Sequence, residues 1–107
     1  MEKKRYFYEM QIVRVVDGDT FDVRVDLGFR ITTWQRIRLM HVNTPEIRGA
    51  ERLSGLAVKE YVITLILGKT LLAETFKQGK YGRYLADFQL ENGEWLSQHL
   101  LRKDMAK

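Results

Sequence analysis

A small β-barrel with two helices, an α+β chain, is the fold class that this sequence predicts. Three observations predict it. Period-two alternation marks the first stretch of the chain, a helical period follows the single proline at Pro45, and strand-like runs return after Gly68. Five strands with a helix between the third and fourth, and a short helix at the end, is the layout of a five-stranded OB-fold barrel. A chain of 107 residues suffices for one domain with a single modest core.

The elements follow in order. Phe7 to Val16 is apolar-rich and β-branched, and Asp17-Gly18-Asp19 ends it as a turn. Phe21, Val23, Val25 and Leu27 then alternate with Asp22, Arg24 and Asp26, the pattern of a half-buried strand. Gly28 permits a turn, and Ile31 to Val42 reads as the third strand, so the first three strands form an antiparallel meander. Leu53, Leu56, Ala57, Tyr61 and Leu65 share one helical face, with Ser54 as N-cap and Gly68 as C-cap. Thr70 to Phe76 and Leu85 to Leu90 supply the last two strands. Asn92-Gly93 marks a turn, and Ser97 to Arg102 forms the closing helix.

Composition narrows the function classes. Hydrophobic residues make up 45% and charged residues 30%, an ordinary globular balance. No apolar run approaches a membrane span, so no membrane partner is expected. "MEKKRYFYEM" has positive charge but no small-residue cleavage site after an apolar stretch, so no leader is expected and a cytoplasmic location is the default, with a secreted or processed form left open. The absence of cysteine excludes disulfides, thiolate metal sites and cysteine nucleophiles. With only His41 and His99, a histidine-rich zinc site is not expected. The net charge of +4 is compatible with a phosphate-bearing partner.

Chemistry-bearing residues gather at the strand ends. The first turn offers Asp17 and Asp19, the end of the third strand offers Asn43, Thr44 and Glu46, and "KQGKYGRY" before the fifth strand offers Lys80, Tyr81 and Arg83. The oxygens of the first two groups suit a hard cation such as Ca²⁺. Asp19 shares strand parity with Phe21 and Val23, so a regular strand points it inward, where a carboxylate needs a partner. The plain alternative is that Asp17-Gly18-Asp19 is only a hairpin turn. Arg38 lies near the Asn43–Glu46 corner and can meet phosphate oxygens bidentately, whereas Arg36 reads as a solvated face residue. Arg83 is open between the same two readings. Pro45 restrains Thr44 and sets the directions of its carbonyl and of Glu46.

"VVDGDTFDV", "RIRLMHVNTPE" and "GKYGRYLADF", in this order and spacing, resemble the staphylococcal nuclease (thermonuclease) family, and the resemblance runs from about Ile12 to Lys107. It implies an OB-type barrel and Ca²⁺-dependent hydrolysis of phosphodiester bonds in DNA and RNA. It also implies that Asp19 is a metal ligand and that Thr44 ligates through its backbone carbonyl. Arg38 and Arg83 are implied as phosphate-clamping arginines, and Glu46 as the carboxylate that prepares the attacking water. Lys80 and Tyr81 resemble residues that contact a nucleotide's terminal phosphate, with Asp17 in an outer shell.

Two features depart from the family pattern. Asn43 stands where staphylococcal nuclease carries a metal-binding aspartate, so an oxygen ligand is kept and a full charge is lost. Ca²⁺ affinity of about 10⁻⁴–10⁻³ M is then expected. Longer members also continue with a helix and tyrosines that flank the nucleotide, which have no match in these 107 residues. Base stacking is expected from Tyr81, Tyr84 or a second subunit. Two rival readings are a non-catalytic nuclease-like module that binds nucleic acid or protein, and an OB-fold holding single strands by charge alone. The complete set of Asp19, Arg38, Glu46 and Arg83 favours catalysis.

Overall fold

A computed structural model describes residues 6–76 and 84–107. The elements are β1 (Tyr6–Asp17), β2 (Thr20–Asp26), β3 (Thr32–Leu39), a 3-10 turn (Gly49–Glu51), α1 (Arg52–Ile66), β4 (Thr70–Phe76), β5 (Tyr84–Gln89) and α2 (Leu96–Arg102). The strands close into a barrel in the order β1-β2-β3-β5-β4, with every pair antiparallel except β3–β5. This is the five-stranded OB-type barrel of the sequence reading, and β1 to β3 form the expected meander. Among the described residues no helix is long and apolar enough to cross a membrane.

β1 holds the barrel together because it is long enough for two neighbours. Residues Tyr6 to Gln11 pair with β4, and Met10 to Asp17 pair with β2. Register shifts at Ile12/Arg14 and Val15/Asp17 supply the bending that closure requires. The interior alternation is filled by Met10, Ile12, Phe21, Val23, Ile37, Leu39, Ala73, Ala86 and Phe88, all buried. Phe21 and Phe88 meet edge to face with centroids 5.5 Å apart, the orientation their ring quadrupoles favour.

Two expectations are corrected. β3 ends at Leu39 rather than Val42, because His41 adopts φ 78° and turns the chain out of the ladder. The buried stripe of α1 is Gly55, Val58, Val62 and Ile66, not Leu53, Leu56, Ala57, Tyr61 and Leu65; Leu53 is 84% exposed. This helix is apolar on most sides, so helical period alone fits two faces. The one carrying Gly55 wins because it lets the helix backbone come closest to the chain beneath it. Ser54 is likewise not the N-cap. That position is Glu51, with no side-chain cap bond, while Gly68 lies one residue past the C-cap Leu67 at φ 79°.

The closing helix is fastened by side chains from outside it. The buried Asp87 carboxylate of β5 accepts bonds from Ser97 N–H at 3.2 Å and from the Ser97 hydroxyl, satisfying a free amide of the first turn. His99 lies 2.7 Å from Tyr61 Oη and 2.7 Å from Glu94 Oε1, tying α2 to α1. Hydrogen bonds from Arg102, and then the His99 ring, hold the Glu94 carboxyl down at about 2. Both histidines therefore have structural contacts: His99 stacks on Tyr61, and His41 meets Phe76 edge to face at 5.3 Å.

Candidate active site

The turn after β1 and the loop after β3 meet at one rim of the barrel. The second irregularity of β1 immediately precedes Asp17, which lines the same cavity as the loop. Gly18 makes the approach possible: a Cβ there would meet Val58 Cγ1 at 2.8 Å and Thr44 Oγ1 at 3.0 Å. Asp19 then pins the two segments. Its backbone carbonyl accepts from Leu39 N–H at 2.8 Å. Its carboxylate accepts from Thr44 N–H at 3.1 Å and Thr20 Oγ1 at 3.2 Å, and lies 3.3 Å from Arg38 Nη2.

Arg38 curls over the end of its own strand. Nη1 donates to the carbonyls of Leu39 at 2.7 Å and Val42 at 3.2 Å, while Nη2 donates to Asn43 Oδ1 beside Asp19. The guanidinium is therefore fixed by four acceptors, and its Nε–H makes no hydrogen bond among the described residues. Asn43 is held in turn by a reciprocal pair of 2.8 Å backbone bonds with Lys107. The neighbouring Arg36, by contrast, forms a bidentate pair with Asp22 on the exposed outer face, as a solvated face residue would.

Glu46 sits where the loop passes under α1. Its N–H donates to Glu51 Oε2 at 3.1 Å, and its carboxylate has no hydrogen bond or ion pair among the described residues. The helix comes so close here that a Cβ on Gly55 would stand 2.3 Å from the Glu46 carbonyl oxygen and 2.8 Å from Ile47 N. Gly55 is thus the residue that sets the height of the Glu46 backbone. An isolated glycine inside an apolar helix was the available signal for such an approach.

These groups line one cavity of about 720 Å³, shared by Asp17, Asp19, Arg38, Asn43, Thr44 and Glu46. Arg48, Glu51 and the chain from Asp104 to Lys107 also line it, and no local pattern in the sequence marks them. Lys80, Tyr81 and Arg83 lie outside the described residues. Burial, and then the Asp19 carboxylate, push the Asp17 carboxyl above its ordinary value, against the pull of Lys59 and Arg48. Asp17 Oδ1 and Thr44 Oγ1 are buried with no hydrogen-bond partner among the described residues. Such orphaned oxygens cost free energy unless water or an ion meets them.

The family model of the staphylococcal nuclease homologue matches residues 36–107. The chain belongs to the staphylococcal nuclease family. The matched stretch starts at Arg36, so it contains the Arg38–Glu46 segment but not the Asp17–Asp19 turn, which lines the same cavity. An uncharacterized endonuclease of Escherichia coli is 30% identical over 96 residues, covering 90% of this chain and 58% of that protein. An uncharacterized 38.1 kDa protein of Capnoides sempervirens is 29% identical over 92 residues, covering 77% of this chain and 26% of that protein. The chain thus spans a little over half of one relative's length and about a quarter of the other's.

Proposed function

We propose that this staphylococcal nuclease domain is a Ca²⁺-dependent phosphodiesterase that hydrolyses DNA and/or RNA, with single strands preferred. One observation carries the reading: Asp19, Arg38, Asn43, Thr44 and Glu46 share a single cavity, and the Glu46 carboxylate stands there without a partner among the described residues. The endonuclease name of the Escherichia coli relative agrees with it.

The donor set fits a weakly held hard cation. It offers oxygens only: the Asp19 and Asp17 carboxylates, the Asn43 amide, and the hydroxyl and carbonyl of Thr44. The orphaned Asp17 Oδ1 and Thr44 Oγ1, and the upward push on Asp17, are the features that a nearby positive charge would relieve. No cluster of three acidic or histidine side chains able to hold a metal occurs among the described residues, so the protein supplies few charged ligands. When bound, Ca²⁺ would neutralise charge on the phosphate and orient it.

The chain's own residues divide the remaining work. Glu46 orients and deprotonates the water that attacks phosphorus in line with the leaving oxygen. Arg38 supplies positive charge to the equatorial oxygens as negative charge builds there. Its Nη2 group is held by the same Asp19 and Asn43 oxygens that a cation would take, so the two uses compete, and Nη2 becomes available to phosphate when those oxygens are given up. By the family resemblance, Arg83 is the second clamp, and Lys80 and Tyr81 contact a terminal phosphate.

Cleavage of single-stranded DNA with and without a chelator tests the reading. Cleavage that stops on chelation and returns with Ca²⁺ is the expected result, and binding without cleavage would assign the chain to the non-catalytic modules instead. Asn43→Asp tests the ligand set separately. Restoring a full charge is expected to tighten Ca²⁺ about tenfold, ~1.4 kcal/mol, in a calorimetric titration. Unchanged affinity would remove Asn43 from the cation's surroundings.

A further inference from the structure

The outer face of β3 presents Thr32, Trp34, Arg36 and Arg38 on one side, while Ile37 and Leu39 face the core. The row begins at Arg38 in the cavity and leads away from it. Trp34 is 63% exposed, far more than a tryptophan that serves the core, and its direct cross-strand neighbour is Arg24. Arg24 is exposed and makes no hydrogen bond or ion pair among the described residues. Trp34 lies four residues from Arg38, about 13 Å along a strand that rises about 3.3 Å per residue.

From this row we infer a stacking subsite for single-stranded nucleic acid, in which Trp34 carries a base of the strand whose phosphate lies at Arg38, and Arg24, directly opposite Trp34, pairs with the phosphate beside that base. The inference rests on the nucleic-acid part of the reading above and extends it beyond the cavity. A flat indole beside a guanidinium that has no partner among the described residues offers a π-face to any base and a charge to any phosphate, the combination by which single strands are held without sequence preference. The net charge of +4 favours the same partner. At a stacked spacing of about 3.4 Å per nucleotide, Trp34 would meet a base about four nucleotides from the scissile phosphate. A duplex keeps its bases paired and stacked inside, so this subsite selects single strands.

The test is fluorescence anisotropy of labelled single-stranded DNA in a chelating buffer, where no cleavage occurs. An oligonucleotide of about twelve nucleotides, within the site sizes known for one OB fold, is compared with a dinucleotide too short to reach Trp34. Trp34→Ala is expected to weaken the longer strand on the order of tenfold to a hundredfold, with Trp34→Phe retaining most of the affinity and the dinucleotide bound equally by all three proteins. Arg24→Gln is expected to lower the slope of log affinity against log salt by about one. Equal affinity of wild type and Trp34→Ala for the longer strand overturns the subsite. So does a Trp34→Ala variant that sediments differently with unchanged strand affinity, which would give this face to a second copy of the chain. Trp34-dependent binding by a protein that never cleaves with Ca²⁺ would uphold the subsite and sink the hydrolytic reading.

Discussion

Glu46→Ala leaves a folded protein whose cleavage rate falls by about 10²–10³-fold, the loss that follows removal of one preorganised catalytic group. The expectation rests on what Glu46 does not do. Its carboxylate makes no hydrogen bond or ion pair among the described residues and is exposed in the cavity, so its removal orphans no buried group. Surface changes of that kind usually stay within about 0.5 kcal/mol of wild-type stability. Arg38→Ala is expected to cost a similar factor in rate, but it also strips partners from Asp19, Asn43 and the Leu39 and Val42 carbonyls. Some loss of stability accompanies it. Single-turnover cleavage and a thermal melt of each purified variant check both statements. Near-wild-type cleavage by Glu46→Ala would take the water-activating role from that residue.

Gly55→Ala is the second large effect, and it acts without touching substrate. Alanine is normally the better helix former, by up to about 1 kcal/mol. Here its Cβ would fall 2.3 Å from the Glu46 carbonyl oxygen and 2.5 Å from the carbonyl carbon, so helix or loop must move. Both contacts are backbone, which cannot swing aside as a side-chain tip can. Overpacking of this sort costs about 1–3 kcal/mol, more than the helical gain. The loop that moves carries Glu46, and a displacement of about 1 Å can cost on the order of 10² in rate. Gly55→Ala is therefore expected to melt lower and to cleave tenfold to a hundredfold more slowly under saturating Ca²⁺. A variant that melts and cleaves like wild type would show that α1 does not set the position of Glu46.

The second strand was the most legible because it has one buried and one open face. Phe21, Val23 and Val25 alternate with Asp22, Arg24 and Asp26, and that alternation survives any packing of the barrel. The end of β3 was misread because Met40 and Val42 are apolar and extend the strand-like run, although they share parity with the outward Arg36 and Arg38; the break comes at His41, whose φ is positive. The helix face was misread because α1 is apolar nearly all round, and only contact with the Glu46–Ile47 backbone selects the side with the glycine.

By itself the sequence determined the number and order of elements, the barrel class and the family, because periodicity, turn residues and three short motifs are local properties of the chain. It also placed the acidic turn and the Asn43–Glu46 corner at strand ends. The tertiary structure decided what those ends do to one another. Barrel closure brings the Asp19 carboxylate to Thr44 N–H and to Arg38, although 25 residues separate Asp19 from Thr44 in the chain. It also leaves Asp17 Oδ1 and Thr44 Oγ1 buried without partners among the described residues. Such encounters depend on twist, bulges and the bulk of distant side chains, which no window of neighbouring residues contains.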